Sequence, residues 1–131
     1  MGLVNNFSSN VKYTLPLQNN NVLPLKYELF DEDEKDYGNG VYSRGSVLIE
    51  NAKSKRVNLL YKGEQKLSLY YNDFKNLVLW TEPNAKFIAI EPWNGLPDDY
   101  DTNHKFEEKR DILKLEKNGA KTFYHSITFN D

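Results

Sequence analysis

Short runs in which apolar and polar residues alternate, each broken within a few positions by Asn, Gly or Pro, constrain this chain more than any other feature. Lys66-Leu67-Ser68-Leu69-Tyr70-Tyr71 and the stretch Phe123 to Phe129 keep a period of two, which on a pleated backbone sends successive side chains to opposite faces. Aromatic residues at 14% against a single Met point the same way, because aromatic and β-branched side chains fit a pleated surface. Such a chain is expected to build sheets, and helix signals are weak throughout.

The expected strands follow in order. Lys12-Tyr13-Thr14-Leu15 and Leu25 to Leu29 flank an Asn-rich loop from Gln18 to Asn21. Ser46 to Glu50 and Arg56 to Tyr61 read as a hairpin around the polar Asn51-Ala52-Lys53-Ser54. Lys66 to Tyr71, Leu77 to Trp80 and Lys86 to Ile90 come next, and Ile112 to Leu115 with Phe123 to Phe129 read as a closing hairpin across Asn118-Gly119. About eight or nine strands is the density of a sandwich, so the expected fold is an all-β, antiparallel β-sandwich. A brief helical turn is expected within Asp31 to Asp36, and a long irregular segment from Pro92 to about Lys109 has the length of a functional loop. At 131 residues the chain is expected to form a single domain, 1–131.

One segment combines strand pattern with chemistry. In Phe87-Ile88-Ala89-Ile90-Glu91-Pro92-Trp93-Asn94-Gly95-Leu96-Pro97-Asp98, apolar residues occupy both faces before Glu91, the pattern of a central strand covered on both sides. Pro92 has no N–H for a ladder and is expected to end the pairing, leaving Trp93, Asn94 and Gly95 in a turn beside the carboxylate. A carboxylate, an indole and a tight turn then meet at one strand end. That is the composition of a candidate sugar site. The same residues also suit a buried carboxylate that accepts hydrogen bonds from the turn, and a packing Trp whose N–H is satisfied nearby.

Trp80-Thr81-Glu82-Pro83, then Phe87 to Trp93, Gly95-Leu96-Pro97-Asp98, and later Lys109-Arg110-Asp111-Ile112 with Leu115 and Gly119, resemble the C-terminal part of the aldose 1-epimerases, the galactose mutarotase-like family, and in particular its bacterial mutarotase-related branch. The resemblance runs from about Leu23 to the C-terminus; residues 1–22 are not diagnostic. It implies that the sandwich is part of the larger mutarotase-like supersandwich and that 131 residues represent the C-terminal portion of such a domain. Family members interconvert the α and β anomers of an aldose by opening the ring and reclosing it. One group takes the proton of the anomeric hydroxyl and another protonates the ring oxygen, each by general acid–base catalysis worth roughly 10² to 10⁴ in rate. The resemblance assigns the base to Glu91. A carboxylate on an apolar face suits that role, because desolvation raises a carboxylate pKa toward neutrality.

For substrate contacts, Trp93 is placed to stack on a pyranose face, Asp33 matches an acidic residue that follows a Phe by three positions in the family, and Asp98 follows the Trp-containing turn and either caps it or closes the pocket. Asp33 lies in the charge run Asp31 to Asp36, which equally reads as a solvated loop. Arg44 is a further candidate for a sugar phosphate or carboxylate. The chain departs from the family at the acid. Family members carry a histidine in a His-Pro or His-x-Tyr-Phe context upstream, and His104 and His125 stand in neither.

Other chemistries lack sequence support. No His, Asp and Glu cluster has metal-ligand spacing, no nucleophile-elbow sequence occurs, and without cysteine there is no thiol nucleophile or disulfide framework. No metal or cofactor is therefore expected. A net charge of -2 offers no field for a nucleic acid or an anionic membrane, and no run approaches the roughly 18 apolar residues of a membrane span. A soluble, cytoplasmic protein is the expectation. Three function classes follow: an aldose 1-epimerase-like isomerase acting on a hexose; a carbohydrate-binding module that recognises sugar without turnover; and an interaction domain whose open strand edges pair with another copy or with a complementary upstream segment.

Overall fold

In a computed structural model of the chain the described residues are the backbone of 13–18, 21–22 and 27–28 and, with side chains, 46–52, 54–81 and 85–131. The helical turn expected within Asp31 to Asp36 lies outside them. The larger sheet holds β1 (Tyr13–Gln18), β2 (Asn21–Val22), β3 (Tyr27–Glu28), β4 (Val47–Ile49), β7 (Asn76–Trp80) and β8 (Ala89–Trp93) in the order β2-β1-β4-β7-β8, with β3 also on β1. The smaller holds β5 (Arg56–Tyr61), β6 (Glu64–Tyr70) and β9 (Ser126–Phe129) in the order β5-β6-β9. Every ladder is antiparallel, and the helical content among the described residues is the 3₁₀ turn Phe106–Glu108. The all-β, antiparallel sandwich expected from the alternating pattern is what forms.

The period of two explains how the layers meet. Val47, Ile49, Leu77 and Leu79 project from the larger sheet and Val57 and Leu69 from the smaller, joined by Ala52 and Tyr71 from the connections, into one core. Leu48 and Val78 point from the opposite face of the larger sheet and are equally buried, in a second layer with Leu96. Burying each such aliphatic side chain contributes about 1.5–3 kcal/mol, so both faces of β4 and β7 contribute to stability. Paired with β4 on one side and β8 on the other, and covered on both faces, β7 rather than β8 is the interior strand.

Several local expectations give way to this packing. Ser46 to Glu50 and Arg56 to Tyr61 do not form a hairpin. The link between them crosses from one sheet to the other, with Asn51 N–H donating to Asn76 Oδ1 at 3.0 Å and Ala52 N–H to the Lys75 carbonyl at 3.1 Å. β5 instead pairs with β6 through Lys62-Gly63, whose φ values of 52° and 81° are those of a two-residue primed turn that matches strand twist. Among the described residues β8 lies at the end of the sheet, half-buried along its length, so it is an edge strand there and not the central one. Pro92 accordingly remains within the ladder, opposite Leu77, because an edge strand needs no outward N–H. Ile112 to Leu115 forms no strand; Gly119 N–H closes a turn on the Glu116 carbonyl at 2.8 Å, but β9 pairs with β6.

Candidate functional site

Register decides which face of β8 carries the chemistry. Glu91 lies opposite Val78 and Trp93 opposite Asn76, so both project from the outer face of the larger sheet, away from the main core. Pro92 and Ile90 alternate with them, and Ile90 packs against that core. Gly95, at a φ of 84° that suits a residue without Cβ, turns the chain back so that Leu96 covers Leu48 and Val78, with Trp93 against the same layer. The indole Nε1–H of Trp93 donates to Glu91 Oε2 at 3.2 Å. Oε1 accepts no protein hydrogen bond among the described residues. The expected meeting of Glu91 and Trp93 thus occurs, and the indole partner is the carboxylate itself.

The turn after β8 is held by Asn94, whose side chain imitates a strand partner. Its Oδ1 accepts the Lys75 N–H at 3.0 Å and its Nδ2 donates to the Asp73 carbonyl at 2.9 Å, joining the β8 turn to the chain entering β7. Reading Asn94 only as a turn former misses this role, because the partners lie 19 and 21 residues away.

Asp98 stands in different surroundings. It pairs with Lys109 at 3.4 Å in a polar cleft of about 200 Å³ that Asp99, Asp101, Lys105 and Arg110 also line. Glu91 and Trp93 are not part of that lining. Arg110 organises this region: its Nε and Nη2 donate to the two carboxylate oxygens of Asp99 at 3.2 and 2.9 Å, and Nη1 pairs with Glu50 at the end of β4. Burial works against the Arg110 charge, but the Asp99 hydrogen bond and the carboxylates of Glu50, Asp99 and Asp111 outweigh it and raise its pKa further. The long acidic loop is thereby tied to the larger sheet by one guanidinium. The acidic composition of the loop was the available signal; that Glu50 would be its anchor, 60 residues earlier, was not legible.

Asp33 and Arg44 lie outside the described residues. His104 is exposed, with a φ of 61°, and its N–H donates to Thr102 Oγ1. His125 is exposed and meets Phe74 in a T-shaped arrangement, at 6.1 Å between centroids. Neither histidine hydrogen-bonds Glu91. Among the described residues no group of three or more His, Asp or Glu side chains is disposed to hold a metal ion, and no helix is long and apolar enough to cross a membrane.

Comparison with known proteins gives two relatives, the plasmid and chromosomal forms of protein LacX of Lactococcus lactis subsp. lactis. Each is 32% identical over 101 residues, a match that covers 76% of this chain and 30% of the relative. The chain therefore spans less than a third of the length of the curated relatives it matches. No protein-family model matches the chain, and no solved structure matches it.

Proposed function

We propose that the chain carries the base side of an aldose 1-epimerase-like site, with Glu91 taking the proton of the anomeric hydroxyl. The observation that supports this reading most is the pairing at the end of β8: a half-buried carboxylate held through Oε2 by the Trp93 indole, with Oε1 left for a ligand hydroxyl. The resemblance of Phe87 to Asp98 to the epimerase motif and the relation to LacX support it from the sequence side. In the reaction Glu91 accepts the hydroxyl proton as the bond from the anomeric carbon to the ring oxygen breaks, and the ring oxygen takes a proton. Rotation about the first carbon–carbon bond and reversal of these transfers give the other anomer. The Trp93 hydrogen bond fixes the carboxylate without occupying both oxygens.

A second reading, sugar binding without turnover, is favoured by the lack of a hydrogen bond between Glu91 and either histidine, both of them exposed, which leaves water to protonate the ring oxygen. One experiment separates the two. Anomer exchange of glucose and galactose followed by polarimetry or NMR is expected to be weak in this chain and lost in Glu91→Gln, with an unchanged melt. The amide oxygen still accepts the Trp93 N–H, so the fold is preserved. A single acid or base is worth roughly 10² to 10⁴ in rate. Exchange unaffected by Glu91→Gln removes Glu91 from the mechanism, and sugar-dependent stabilisation with no exchange favours the binding module.

A further inference from the structure

Strand β9 is the last strand of the smaller sheet, and Phe129 is 77% and Ile127 48% exposed. Their position in the ladder makes that exposure informative. Ile127 lies opposite Leu69 and Phe129 opposite Leu67, so both project from the face that carries Leu69 of the core and Leu67 packed against it. The inner face of the smaller sheet therefore continues past its covering layer with two uncovered apolar side chains.

The backbone edge is also open among the described residues. Asn130 N–H donates to the Lys66 carbonyl at 3.0 Å, which fixes the phase of the ladder. The amides of Ser126, Thr128 and Asn130 turn toward β6, and those of Ile127 and Phe129 turn outward, where no strand meets them among the described residues. Monomeric β-proteins blunt such an edge with Lys, Pro, an inward charge or a bulge. Ser126-Ile127-Thr128-Phe129 contains no charge and no Pro, and its pairing with β6 is regular.

We infer that this edge pairs antiparallel with the same edge of a second copy of the chain, about a two-fold axis passing at Thr128. An axis perpendicular to the sheet keeps the inner faces of both copies on one side, so the outward-turned residues must pair with one another. Centred on Thr128, Ile127 lies opposite Phe129 of the partner subunit and exchanges both backbone hydrogen bonds with it. An aromatic and a β-branched side chain on one face make a favourable cross-strand pair. The same register sets His125 opposite the partner's Asp131, an imidazole donor against a carboxylate, at both ends of the seam. Moving the axis to Ile127 or Phe129 would set Asp131 opposite Phe123 or Ile127 and lose that complementarity. A hydrogen-bond donor matched to a carboxylate, in a register that also sets the apolar pair side by side, selects a second copy as the occupant, independently of the carbohydrate reading.

The absence of cysteine makes the register directly testable. Thr128→Cys places one thiol on the axis, in a non-hydrogen-bonded pair whose Cα atoms are about 4.5 Å apart, within disulfide reach. The full chain is expected to scatter light as a dimer at micromolar to millimolar concentration. Mild oxidation should convert Thr128→Cys to a covalent dimer and leave Ser126→Cys, which faces Asn130 of the partner subunit, uncrosslinked. Phe129→Lys, a change at an exposed side chain, should return the chain to a monomer that still melts cooperatively, at a midpoint that no longer depends on protein concentration. A monomeric wild type, a Phe129→Lys variant that stays dimeric, or crosslinking of Ser126→Cys as efficient as that of Thr128→Cys would each overturn the inference.

Discussion

Tyr71 is the largest fully buried side chain of the core, and replacing it with Phe isolates one hydroxyl. The ring stays in place between the sheets, while the bond from Tyr71 Oη to the Ser54 carbonyl, 2.7 Å long, is removed. A hydrogen bond of this kind is worth about 1 kcal/mol net, so Tyr71→Phe should lower stability by about that amount near neutral pH and the melting temperature by about 4 °C. The pH dependence is the sharper test. Burial raises the Tyr71 hydroxyl well above the ordinary tyrosine value of 10.0, so above that pH the unfolded chain releases a proton that the folded chain retains. Stability from this group is fully present below pH 10 and lost as the pH rises, by about 1.4 kcal/mol at pH 11. The Phe variant lacks that loss, so its stability curve should cross the wild-type curve between pH 10 and 11 and lie above it at pH 11. Lys55, whose pKa burial lowers, acts in the opposite sense over its own window; its ammonium donates to the Phe74 carbonyl at 2.6 Å in both proteins and largely cancels in the difference. Urea unfolding of both proteins between pH 7 and 11 measures the gap. A gap that stays constant with pH would refute the buried-hydroxyl argument, and a Phe variant more stable than wild type at pH 7 would refute the hydrogen-bond term.

Leu96→Ala should cost about 2–4 kcal/mol, a value unusual for a loop position, because Leu96 is 5% exposed and closes the layer over Leu48 and Val78; chemical denaturation reads it, and a loss below about 0.5 kcal/mol, the range of an ordinary surface substitution, would mean the loop does not seal that face. Asn94→Ala removes both bonds that join the β8 turn to the chain before β7 and should destabilise the protein by about 1–2 kcal/mol, with faster hydrogen exchange at the Lys75 amide as the local signature; unchanged exchange at Lys75 would show that the clasp is not formed in solution.

The sequence by itself determined the fold class and most strand positions, because both depend on side-chain periodicity within a few residues. Lys66 to Tyr71 alternates strongly enough to be a strand in any arrangement, Arg56 to Tyr61 is rich in strand-forming residues, and Glu91 and Trp93, two residues apart, share a face on any strand that contains both. Pairing was a different matter. The polar run Asn51 to Ser54 looks like a hairpin loop, yet the buried Ala52 and the bonds to Lys75 and Asn76 carry it across to the other sheet, and nothing local distinguishes a link that returns along its own sheet from one that changes layer. The doubly apolar run before Glu91 suggested a central strand, but position within a sheet is set by which neighbours supply hydrogen bonds on each side, and β8 finds one on the β7 side alone among the described residues. Only the tertiary structure separated Asp98 from Glu91, because Arg110 draws the acidic loop toward Glu50 through charge-assisted bonds between residues far apart in the chain. Period and composition act over a turn or a strand. Register, layer and long-range ion pairs are settled only when the two sheets close on a common core.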